Sequence, residues 1–105
     1  MSEHALGNGI DLSGFAFGPL PRGAQAPMGM PAVLARAFTV RVESDWHSRG
    51  LLGAWNSGFL HALARTLIAR SDIFRVLLGP GFPGHHNHFH LDCAPYRVVD
   101  GWAQR

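Results

Sequence analysis

Four of the chain's seven histidines fall within GHHNHFHLDC, residues 84–93. Side chains alternate across an extended strand. Read as a strand, residues 86–93 put His86, His88, His90 and Asp92 on one face and Asn87, Phe89, Leu91 and Cys93 on the other. The apolar set then turns to a core, with Cys93 a buried and inert thiol beside Phe89 and Leu91. The imidazoles gather on the opposite side, where they can bind metal or move protons. A catalytic zinc takes three protein ligands and keeps one position open. A second stretch, SEHALGNGID at residues 2–11, offers the remainder: His4 and Asp11 with Gly7 and Gly9 between them. Glycines allow a tight reversal, so a histidine before the turn and a carboxylate on the strand after it can reach one ion. With the His88–His90 pair this makes a His, Asp, His set and one histidine to spare. Asp92 and His86 share the expected face and are candidates to orient a ligating imidazole by hydrogen bonding.

The elements that must position these residues follow from periodicity. IDLSGFAF, 10–17, alternates and reads as a strand after the GNG turn; 18–33, rich in proline and glycine, reads as a loop. FTVRVES, 38–44, reads as a half-buried strand, followed by a packed Trp46 and an exposed His47. Leu52, Trp55, Phe59, Leu63 and Leu67 recur at three- or four-residue steps, so a helix is expected over 54–70. His61 lies about 200° round from Phe59 on that helix, on its solvated side. IFRVLL, 73–78, reads as a buried strand, GPGFPG as a loop, and the histidine strand closes the chain before Pro95. The order β-β-α-β-β predicts an α+β fold: a small antiparallel sheet with a helix packed on one face.

Composition bounds the function. The 105 residues, 47% of them hydrophobic, suit one domain over 1–105 with one modest core. The net charge is +2, all nine cationic residues are arginines and none adjoin, so there is no basic stripe to track nucleic acid. One cysteine excludes an intrachain disulfide. No apolar run approaches the roughly 18 residues of a membrane span. MSEHALGNGID has neither the basic nor the apolar region of a signal peptide, so the chain itself names no compartment.

HFHLDC also resembles the His-x-His-x-Asp-His signature of metallo-β-lactamase-type hydrolases, but its sixth residue is Cys93 and that fold needs a much longer chain. SEHALGNGID is closer to the Ser-x-His-x-x-Gly-x-Ala-x-Asp motif of the D-alanyl-D-alanine metallopeptidases, relatives of the lysostaphin-type and hedgehog domains. Within that superfamily SEHALGN, DLSGF, VLLGP and HNHFHLD resemble, in the same order, segments of the bacterial extensin-like C-terminal family, over about residues 2–94. Gly9 stands where the motif has alanine.

The resemblance implies zinc (Zn2+) held by His4, Asp11 and His90. It makes His88 the catalytic histidine, either a neutral general base or a protonated oxyanion stabiliser. It implies a peptide or peptidoglycan substrate in the bacterial cell wall. It also implies a segment before His4 that builds the cleft, relative to which this chain is N-terminally truncated, and a periplasmic or cell-envelope location if an export signal lies upstream of Met1. The rival expectations are a zinc-binding recognition module without hydrolysis, as hedgehog-type relatives exemplify, and an inactive fragment of the enzyme.

Overall fold

A computed structural model describes residues 7–103. The chain is a small α+β fold. Strands β1 (Gly9–Leu12), β5 (Phe89–Asp92), β4 (Val76–Leu78) and β6 (Val98–Asp100) form one sheet in the order β1-β5-β4-β6. A separate ribbon pairs β2 (Gly14–Phe17) with β3 (Phe38–Arg41). A short helical turn α1 (Val42–Asp45) leads to the long helix α2 (Gly50–Ala69).

The expected strand 10–17 is two strands in two sheets. The break falls at Ser13, whose carbonyl accepts the Val42 backbone N–H at 3.0 Å instead of a ladder bond. Gly14 then enters the ribbon opposite Arg41, so close that a Cβ there would stand 3.0 Å from the Val40 carbonyl oxygen. The same contact ends the expected strand 38–44 at Arg41. Its backbone N–H is taken by the Asp45 carboxylate at 2.8 Å, and the next four residues coil into α1.

The sheet is mixed, not purely antiparallel. β5 runs antiparallel to β1 and β4, but β6 runs parallel to β4. β6 escapes a pattern search because it is three residues long and wholly exposed. Both the expected strand 73–78 and the expected strand 86–93 are shorter than their apolar and alternating patterns. Turns occupy Ser71–Ile73 and His86–Asn87, leaving only Val76–Leu78 and Phe89–Asp92 in the ladder.

α2 starts earlier than its periodicity, because Gly50 and Gly53 read as poor helix formers. Gly53 is there for packing: a Cβ on it would stand 3.0 Å from the Ser48 Cβ. The most buried face of α2 is Ser57, Leu60 and Ala64, one step round from the expected stripe. Phe59, Leu63 and Leu67 pack beside that face, while Leu52 stays exposed. The core joins Leu60 and Ala64 to Val40, Val42, Trp46 and Phe89. Trp46 meets Phe89 edge-on with ring centroids 5.5 Å apart, so β5 presents its apolar side to the helix layer. Among the described residues no helix is long and apolar enough to cross a membrane.

Candidate metal centre

β5 lies between β1 and β4, and its register sets the site. Asp11 of β1 stands directly opposite His90 of β5. With Phe89 and Leu91 in the core, the period-2 alternation aims His90 and Asp92 at the other face. His90 Nδ1 faces Asp11 Oδ1 at 3.1 Å, and His90 Nε2 meets Asp92 Oδ2 at 2.7 Å. The Asp92 side chain is only 4% exposed and is held from behind, its Oδ1 accepting the Ala94 backbone N–H at 3.0 Å. His90 is 12% exposed and Asp11 45%.

This flanking of one imidazole by two carboxylates carries a chemical constraint. An ionised carboxylate only accepts hydrogen bonds. The shorter contact, to the buried Asp92, makes Nε2 the donor. In the neutral ring Nδ1 then carries the lone pair, and that lone pair faces an Asp11 oxygen. Two acceptors 3.1 Å apart repel unless a proton or another cation lies between them. An imidazolium satisfies the geometry, and so does a metal ion shared by Nδ1 and the Asp11 carboxylate. The second arrangement is a carboxylate–histidine–metal relay, in which the outer carboxylate fixes the tautomer and aims the ring. The donor types and ring orientation thus fit a zinc ligand pair. Among the described residues, no group of three or more His, Cys, Asp or Glu side chains is spaced to hold a metal ion. His4, the further ligand implied by the resemblance, lies outside the described residues.

His88 precedes β5 rather than belonging to it. Its backbone N–H bonds to the His85 carbonyl at 3.2 Å in a tight turn, yet its ring arrives beside Asp11, with Nε2 3.8 Å from Oδ2. His88 Nδ1 lies 2.7 Å from Asn87 Oδ1, an acceptor. Nδ1 is therefore a donor, and in the neutral ring Nε2 is the basic nitrogen. The loop that delivers His88 is pinned: Gly79 and Gly81 donate backbone N–H bonds to the Asp100 and Gly101 carbonyls at 2.9 and 2.8 Å.

The expected strand face fails at its first member. His86 sits in the turn, 73% exposed, with Nε2 3.7 Å from Glu43 Oε1. His85 takes the inner place, its ring centroid 4.7 Å from that of His88 and 5.8 Å from that of His90. Its Nδ1 donates to the Pro83 carbonyl at 3.1 Å. The signal for this exchange was local: Gly84 has φ +83°, and a glycine held there continues the GPGFPG turn into the histidines instead of starting a strand.

Three other expectations resolve away from the site. Cys93 is exposed, because β5 ends at Asp92 and the alternation stops with it. Trp46 is buried and His47 exposed, as expected. His61 is not on a solvated face. It stacks on Trp46 with centroids 3.6 Å apart and donates Nδ1–H to the Ser57 carbonyl at 2.8 Å. The turn at α1 brings Trp46 across the helix side that the wheel left open.

Compared with models of known protein families, with curated proteins and with solved structures, the chain matches none.

Proposed function

We propose that the chain is a zinc-dependent peptidase-like domain, of the kind the extensin-like C-terminal resemblance implies, hydrolysing peptide bonds of bacterial cell-wall peptides. The observation that supports it most is His90 held between Asp92 and Asp11, with Nδ1 aimed at the Asp11 carboxylate. Asp11 and His90 would hold the ion together with His4. Bound zinc supplies Lewis acidity at neutral pH.

The chain's own residues supply the rest. Asp92 keeps the His90 ring from rotating. Asn87 fixes the proton of His88 on Nδ1, which leaves Nε2 as a base facing Asp11. His88 Nε2 takes a proton from the attacking water as its oxygen bonds to the scissile carbonyl carbon. The same proton goes to the leaving nitrogen as the carbon–nitrogen bond breaks. The Asn87 contact is compatible with both roles named for His88, because Nδ1 carries a proton in the neutral and in the charged ring.

Two measurements on untagged protein test the reading: zinc content after zinc supplementation and dialysis, and release of amino groups from purified cell-wall peptides. Zinc with hydrolysis supports it. Zinc without hydrolysis turns the reading into a recognition module, and absence of zinc overturns both.

A further inference from the structure

A polar cleft of about 240 Å³ adjoins the proposed centre. Its walls are Ser13, Gly14, Arg41, Glu43, Ser44 and Asn87. Two of its lining residues neighbour the site. Ser13 follows β1, which carries Asp11, and Asn87 is the hydrogen-bond partner of His88.

The lining is rich in donors. Asn87 commits its oxygen to His88 and so presents its NH2 group. Ser13 and Ser44 add hydroxyls. Among the described residues no carboxylate stands within ion-pair distance of the Arg41 guanidinium; Asp45 bonds its backbone N–H, and Glu43 lies against His86 at 3.7 Å.

We infer that this cleft is a carboxylate-binding subsite and that Arg41 is a specificity-determining residue, selecting peptides that carry a carboxylate close to the bond at His88. The inference rests on the peptidase reading for the identity of the ligand as a peptide. A guanidinium forms paired, charge-assisted hydrogen bonds to a planar carboxylate. One cation with Glu43 nearby matches a single negative charge better than a phosphate dianion.

The test is isothermal titration of the untagged chain, zinc-supplemented and chelator-treated. The probes are N-acetyl-dialanine, its carboxamide, N-acetyl-alanyl-glutamate carboxamide and inorganic phosphate. The free acid should bind about tenfold to a hundredfold tighter than the carboxamide, the scale of a lost charge-assisted bond. Arg41→Gln should erase that preference and Arg41→Lys keep part of it, while Glu43→Gln strengthens it. Preference for the glutamate probe over the terminal acid assigns the cleft to a side-chain carboxylate. Equal binding of acid and carboxamide, no binding of any probe, equal binding of phosphate, or a preference that survives Arg41→Gln overturns the subsite. Zinc content of the same samples reports on the peptidase reading separately. A carboxylate preference in a chain that binds no zinc would keep the subsite and sink the metal centre.

Discussion

The two faces of β5 are made of opposite materials. Phe89 and Leu91 turn inward to near-zero exposure, Phe89 packed against Trp46 and its neighbours. His90, between them, faces the Asp11 carboxylate on the neighbouring strand, and Asp92, after them, holds the other side of the His90 ring. The apolar face is held by volume and buried area, which need no charge and no specific partner atom. The polar face is held by partners that need one another and, for His90 and Asp11, a positive charge between them. One strand thus anchors the fold with one set of side chains and offers chemistry with the alternate set, and substitutions should separate the two.

The largest effect belongs to the apolar face. Phe89→Ala should cost about 3–5 kcal/mol of stability, the usual loss for a truncated core aromatic, read from urea melts. It should leave no distinct metal phenotype in whatever fraction stays folded. Next comes the metal. At free zinc a hundredfold above its dissociation constant, binding adds about 2.7 kcal/mol to the wild type. Chelation should therefore lower the melting temperature of the wild type and leave that of Asp11→Asn unmoved. An equal response in both would break the contrast between the faces.

His90→Ala should lose zinc and also about 1–3 kcal/mol, because among the described residues Asp92 then keeps only the Ala94 N–H as partner while still buried. Asp92→Asn is subtler. It keeps the shape but weakens the orientation of the ring, so zinc affinity should fall about 10–100-fold, measured by competition with a chelating dye. The smallest effect belongs to an exposed ion pair outside β5. The Asp72 carboxyl is held below its usual range, chiefly by its hydrogen bonds from Arg70. Its stabilisation is present above the unfolded-state pKa and fades as pH falls through the lower folded one. Both side chains are exposed, so Asp72→Asn should lower the urea midpoint only slightly at neutral pH.

How much of this was legible in the residues divides along the same strand. From Phe89 to Asp92 the period-2 rule sorted core from site, because a strand between two partners has no freedom to turn over. Before Phe89 the rule misled. His86 was grouped with His88 and His90, whereas a turn closed at Gly84 sends His86 outward to Glu43 and His85 inward. After Asp92 it misled again, predicting a buried Cys93 where the strand has already ended. His61 and Trp46 show a different limit. A helical wheel assigns sides of one helix, but only the packing of α1 decides which side is covered. The pairing of Asp11 with His90 joins residues 79 positions apart. The motif supplied both residues, and the register of β1 against β5 makes them neighbours.

The most direct test of the account is zinc stoichiometry in four untagged proteins: wild type, His88→Ala, Asp11→Asn and His90→Ala, each supplemented with zinc and dialysed. The account predicts about one zinc per chain in the wild type and in His88→Ala, and almost none in Asp11→Asn and His90→Ala. A wild type without zinc, or His88→Ala and His90→Ala that retain it equally, would contradict the assignment of His90 and Asp11 as a ligand pair.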